Sequence, residues 1–227
     1  MRLFRLGTLF VVVLTGLVTF AQAQKPNTLV ENDRVRVTRV DLSKGESLPD
    51  DNRYDAMTVR LQDGETALTE SGQTEKMDSG PMQQSHYFVA RSRRAVKNVG
   101  KETLPFVEVL FLRTPGKYVA LDIPPSHYCN PESQKACVTE RYLFCTDRFC
   151  AETVTMDPGA ISTQHTHASD YMVIATSDFT WRNEPAGKPA ADESFKTGDV
   201  KYIEAGGTHR LVNASGTTAR LIMVQFK

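Results

Sequence analysis

The chain has 227 residues, with 27 Lys and Arg balanced by 27 Asp and Glu, a hydrophobic fraction of 40% and four cysteines. A neutral chain with one short basic run offers no surface for nucleic acid, and a single apolar stretch near the N-terminus is the only candidate for a membrane. The length suffices for two small β domains or one larger one.

Residues 1–23 begin with Arg2 and Arg5, continue through the apolar run from Leu9 to Phe20 and end in Ala21-Gln22-Ala23. A charged start, a short apolar core and a small-x-small ending read as a cleaved export signal, so the expected location is periplasmic or secreted, with no membrane attachment after cleavage. Loss of Arg2 and Arg5 lowers the basic count from 27 to 25 against 27 acidic residues. The run Val35 to Leu42 is largely alternating and stops at Lys44-Gly45, as a strand does. Arg91, Arg93, Arg94 and Lys97 form the one basic cluster, which is either a solvated face or an anion site. Phe106 to Leu112 reads as another strand. Residues 114–148 hold Pro115, Pro124, Pro125 and Pro131 and read as an irregular connector. Cys129, Cys137, Cys145 and Cys150 have no pair spaced as in a zinc knuckle, so an exported chain points to two disulfides, with three connectivities open. On one straight strand Cys145 and Cys150 would stand about 16 Å apart. Either a turn near Thr146-Asp147 brings them together or each pairs with Cys129 or Cys137, and in both cases the bridges are expected to staple the connector, not a site.

His165 and His167 are two apart, and in a strand such residues point to one face. One strand can therefore present two imidazoles to one ion, with His209 as a third ligand if a later strand returns alongside. If Ala168 and Ser169 form a two-residue hairpin loop, Asp170 is opposed to His167 and shares its face. Asp170 then ligates the metal or takes a proton from bound substrate. Phe179 and Trp181 follow, and either flank a pocket mouth or pack in the core. Leu221 to Phe226 closes the chain as a β-prone run. Asn213-Ala214-Ser215 matches a glycosylation acceptor, discounted because Asn213 belongs to a structural motif.

An internal repeat helps decide the architecture. Tyr87 to Asn98 lies without gaps on Tyr202 to Asn213, and Asp55 to Val59 lies on Asp170 to Ile174, both at an offset of 115 residues, with Gly45 opposite Gly159 at one fewer. A repeat of this length points to two copies of one domain. In the first copy Asp50 and Asn52 stand at the positions of His165 and His167, and Arg94 stands at that of His209. An arginine cannot give up its proton to a metal, so the first copy is expected to be structural, with Arg94 buried against Asp50 or Asp55.

The residues around the histidines carry a resemblance. Gly159, five residues, His165, one residue and His167 are similar to the opening of the first cupin motif, and Gly198, five residues, Glu204-Ala205-Gly206, two residues, His209, three residues and Asn213 are similar to the second. Two departures are Glu204 in place of the usual proline and Asp170 after only two intervening residues, where the first motif places glutamate after three or four. The resemblance implies an all-β chain of two cupin-type (double-stranded β-helix or jelly-roll) barrels in tandem: a degenerate copy over 27–113 and a metal-binding copy over 149–227. It implies one divalent transition metal per chain on His165, His167, His209 and Asp170, with Fe, Mn, Ni, Zn and Cu not distinguished by imidazole ligands. Dioxygenase-type oxidation of a small molecule is the first expectation and isomerase or lyase chemistry the next; the alternative is a non-catalytic ligand-binding or structural bicupin. A homodimer is left open.

Overall fold

A computed structural model describes residues 27–49, 51–70, 74–92, 94–113, 116–131 and 134–227. The expected export signal and Asp50 lie outside the described residues. Strands in the N-terminal half are β1 (Asn27–Glu31), β2 (Val35–Leu42), β3 (Asp55–Arg60), β4 (Gly64–Glu70), β5 (Lys76–Gly80), β6 (Ser85–Phe88), β7 (Arg94–Asn98) and β8 (Leu104–Phe111). Those that follow are β9 (Tyr118–Val119), β10 (Ser126–Cys129), β11 (Cys137–Thr146), β12 (Phe149–Met156), β13 (His165–Thr166), β14 (Tyr171–Ala175), β15 (Phe179–Pro185), β16 (Ala191–Phe195), β17 (Val200–Ile203), β18 (Thr208–Asn213) and β19 (Ala219–Phe226). The all-β expectation holds, with no helix among the described residues.

Strand order recurs between the halves. The first half forms a sheet β1-β2-β8-β3-β6 facing a sheet β5-β4-β7; the second forms β11-β12-β19-β14-β17, with β10 added beyond β11, facing β16-β15-β18-β13. From β3 onward the offset of 115 holds, so that Gly64–Glu70 becomes Phe179–Pro185 and Leu104–Phe111 becomes Ala219–Phe226, while Val35–Leu42 becomes Phe149–Met156 at 114. Even unusual backbone repeats. Gly198 and Gly206 adopt φ of 94° and 98°, and the residues at their positions in the first half, Gln83 and Arg91, hold φ of 76° and 67° without the freedom of glycine.

The side-chain period of two explains why the two larger sheets are buried on both faces. In β12, Phe149 and Ala151 point one way while Glu152, Val154 and Met156 point the other; β19 alternates Ile222, Val224 and Phe226 against Leu221. One set fills the interior of the C-terminal half. The other joins Val35, Val37, Val107 and Val109 from the N-terminal half in a common core between the two sheets, where Phe111 stacks on Phe149 with ring centroids 3.8 Å apart.

Two recurring devices tie each half. Asp55 accepts the Tyr87 hydroxyl at 2.7 Å and the Ala90 amide at 2.7 Å; Asp170 accepts the Tyr202 hydroxyl at 2.8 Å and the Ala205 amide at 2.9 Å. Asn213, buried, donates to the carbonyls of Met156 and Thr217, as Asn98 does to Leu42 and Glu102. Its amide is committed inside the fold, in keeping with its dismissal as a glycan acceptor.

The connector is not irregular throughout. Its prolines lie before residue 132, and the β-prone stretch Cys137–Thr146 pairs along its length with β12, while β9 and β10 pair with β11. Cys129 with Cys137 and Cys145 with Cys150 are register partners and form the two disulfides. A turn after Thr146, where the Thr146 hydroxyl accepts the Arg148 and Phe149 amides, brings the second pair together. Two disulfides fit an oxidising, non-cytoplasmic compartment, and no helix among the described residues is long and apolar enough to cross a membrane.

Phe149→Ala should cost roughly 3–5 kcal/mol by removing a ring from the shared core. Denaturant unfolding of this variant followed by Trp181 fluorescence and by far-ultraviolet circular dichroism should give a single coincident transition at lower midpoint; two separated transitions would show that the halves do not share that core.

Candidate metal centre

β13 is only two residues long, yet it sets the site. His165 pairs in register with His209 of β18, and His167 follows in extended chain, so three imidazoles from two adjacent strands converge. Their ligand atoms lie within 4.8 Å of one another. His165 Nε2 stands 3.0 Å from His167 Nε2. Two imidazole nitrogens at that distance hold a proton or an ion between them, because their lone pairs repel. His209 Nε2 is buried and has no hydrogen-bond partner among the described residues.

Outer contacts set which nitrogen is free. His165 Nδ1 donates to the Thr163 carbonyl at 2.8 Å, and His209 Nδ1 donates to Asn183 Oδ1 at 3.0 Å, leaving each Nε2 as a lone pair toward the centre. The Gln225 carboxamide lies 3.4 Å from His167 Nδ1, and the Tyr171 ring stacks on His167 with centroids 3.8 Å apart. Burial first, and then the neighbouring His165 and His209, push His167 down to about 4; burial, then His165, lowers His209. Convergent, pre-oriented imidazoles suit a divalent transition metal, so the donor set fits.

Asp170 is not part of this set. Its two oxygens are taken by Tyr202 and Ala205, and the Arg34 guanidinium lies 3.8 Å away, on the side of the sheet facing the N-terminal half. The hairpin that would have opposed it to His167 does not form, because β13 pairs with β18 in one sheet while β14 pairs with β17 and β19 in the other. The next residue after His167 to line the cavity is Tyr171, whose ring stacks on the His167 imidazole. Asp170 is a structural acid, the counterpart of Asp55.

The expectation for Arg94 is corrected in part. Arg94 is buried, but its partners are Glu108 at 3.4 Å and the Asp51 carbonyl at 3.4 Å, with Phe88 beneath the guanidinium at 5.4 Å; Asp55 is engaged by Tyr87 and Ala90. Burial pushes Glu108 up to about 7 even with Arg94 drawing it down.

His165 and His167 close one end of a cavity of about 50 Å³, and His209 borders a second of about 140 Å³; Tyr171, Trp181 and Leu211 line both. Trp181 is thus a cavity wall, whereas Phe179 is core, stacked on Phe195. Val138 and Glu140 of β11 wall the first cavity, so the bridged hairpin belongs to the site and the expectation that the disulfides staple only a connector is corrected. Sequence reasoning missed Tyr171, Asn183, Gln225, Glu140 and Glu152. The signal available was parity: Glu152 alternates with Val154 and Met156 on the inward face of β12.

No family model matches the sequence, and no curated protein matches it. Solved structures do. The chain superposes on a cupin 2 conserved barrel domain protein from Leptotrichia buccalis with a TM-score of 0.60 at 13% identity, covering 93% of each chain. The fold is a cupin fold. AerE from Microcystis aeruginosa gives 0.61 at 11% identity over 89% of this chain and 97% of its own, and a point mutant of Bacillus subtilis oxalate decarboxylase gives 0.63 at 13% identity over 88% of this chain and 71% of its own. The three convergent imidazoles form a group whose ligand atoms are close enough together to hold one metal ion.

In metal-free protein the His167 imidazole should titrate near 4 by NMR, well below the ordinary 6.5. Its folded value is depressed, so the unfolded chain takes up the proton first and the stability this residue contributes is lost as pH falls from about 6.5 toward 4. An ordinary midpoint would mean the three rings do not converge in a buried cluster.

Proposed function

We propose that this chain is an exported two-barrel cupin in which the C-terminal barrel holds one divalent metal on His165, His167 and His209 and acts as a metal-dependent enzyme on a small molecule, while the N-terminal barrel is structural. The observation that carries this reading is the convergence of three imidazoles, two of which have their Nδ1 sides fixed from outside, with the orphaned His209 Nε2 among them. Three protein ligands leave coordination positions open. The metal, when bound, supplies Lewis acidity and sites for substrate and dioxygen.

The chain's own residues do the rest. Thr163 and Asn183 hold two rings in one tautomer, Tyr171 and Gln225 fix the third, and the apolar wall of Val154, Leu211, Leu221 and Met223 keeps water from the reacting face. That wall carries no lysine or arginine, and Lys201 at the second cavity is already paired with Glu193 at 2.5 Å. A small dicarboxylate such as the substrate in the name of the oxalate decarboxylase neighbour finds no cationic clamp here. Oxidation of a largely apolar small molecule is the reading this lining favours.

Elemental analysis of protein purified without tag or chelator should give close to one transition metal per chain. His165→Ala and His209→Ala should each lose most of it, and Arg94→Ala should keep it, as should Asp170→Asn at lower thermal stability. Oxygen uptake in substrate screens should vanish with the metal. Full metal content in either histidine variant, or no metal after reconstitution, overturns the site.

A further inference from the structure

One buried acid in the C-terminal half lacks a partner. Glu152 is 6% exposed and makes no hydrogen bond or ion pair with any of the described residues. Register fixes where it points. Across the sheet, Cys150 pairs with Gln225 and Gln225 with Tyr171; the next inward layer is Glu152, Met223 and Val173. Gln225 and Tyr171 both touch His167, so Glu152 lies one layer of side chains beneath the triad, on the face that also presents Val154 and Met156 to the cavity.

The groups around it make its isolation costly. From β11 come Glu140 and Tyr142, from β19 Met223, and from β10 Tyr128, whose hydroxyl donates to Glu140 at 3.0 Å. Burial first, and then Glu140, push Glu152 up to about 7. Glu140 lines an apolar cavity with the rings of Tyr171 and Trp181, Glu152 stands beside it on the same face of the sheet, and no lysine or arginine lines that cavity. Buried carboxylates are paired, protonated or bound to a cation. A hard metal ion seeks six or more oxygen ligands, more than this corner offers, whereas an ammonium group needs about three acceptors and gains from nearby aromatic faces.

We infer that the interior of the C-terminal half binds a small primary amine in its ammonium form, seated between Glu140 and Glu152, with its apolar body against Val173, Leu221 and Met223 and its other end directed to the histidine triad. This deepens, and rests on, the reading of that interior as a ligand cavity, and it names the ligand's charge. No bond is made or broken in the step beyond the transfer of a proton: the ammonium displaces the proton that Glu152 carries, which passes to solvent.

The test is calorimetric titration of disulfide-intact, zinc-loaded protein at neutral pH with propylammonium chloride, propan-1-ol and sodium chloride, repeated in two buffers of different protonation heat. Propylammonium should bind with net proton release, while propan-1-ol and sodium should bind at least about tenfold more weakly. Glu152→Gln, close in size, should weaken propylammonium by roughly tenfold or more at unchanged zinc content. The zinc-deficient His209→Ala variant should still bind it. Equal binding of propylammonium and propan-1-ol by the wild-type protein, or unchanged propylammonium binding by Glu152→Gln, overturns the inference. Zinc retained without any preference for the ammonium defeats it alone; ammonium binding by a wild-type protein that takes up no metal defeats the metal reading alone.

Discussion

Two sheets packed back to back, each apolar on both faces, are the constraint on which the rest of this molecule depends. Each fully buried valine, isoleucine or phenylalanine in that shared layer contributes roughly 1.5–3 kcal/mol, and the layer fixes β12, β14 and β19 from behind. Those three strands present Glu152, Tyr171 and Gln225 to the interior. The N-terminal half therefore supports the candidate site without touching it, since its sheet is the surface against which the site's floor is packed.

Having no metal ligand at the position of His209, the N-terminal half fills the corresponding space with charge held by charge. Arg94 stands where His209 stands in the repeat, and Glu108 stands where Met223 does, so a buried guanidinium and carboxyl from facing sheets replace an imidazole and a thioether. Such a pair repays its desolvation poorly and becomes costly when one partner is lost. The backbone, in contrast, differs little between the halves. Gln83 and Arg91 keep left-handed conformations that glycine occupies in the second half, so strand pairing and turn geometry hold the chain in that form even where the residue type resists it.

Much of this was legible in the sequence because it follows from local period and spacing. His165 and His167 share a face by strand parity, and the 115-residue offset matched Asp55 to Val59 and Tyr87 to Asn98 with their counterparts in the second half. Asp170 was misplaced because its assignment depended on a hairpin that required β13 and β14 to be neighbours, and sheet membership is a long-range property that no local pattern encodes. The Arg94 partner was missed for the same reason: Glu108 lies on a strand in the facing sheet. Cys137–Thr146 was hidden by prolines clustered before it, which made a structured hairpin look like a linker.

That hairpin is where the redox state of the compartment meets the cavity. The Cys129–Cys137 and Cys145–Cys150 bridges close loops short enough that each contributes only about 2–2.5 kcal/mol on the chain-entropy account, too little to explain a fold that already buries an extensive core. Their effect is local. β11 is an inner strand held by β12 on one side, and on the other by β10 and the two residues of β9; Cys129–Cys137 ties β10 to β11, and Cys145–Cys150 ties β11 to β12 at its far end. Val138, Glu140 and, through its hydroxyl, Tyr128 take their positions in the cavity wall from the edge that β11 shares with β10. The Cys129–Cys137 bridge thus holds the end of β11 from which Val138 and Glu140 reach the cavity wall, and its effect on the site exceeds its share of global stability.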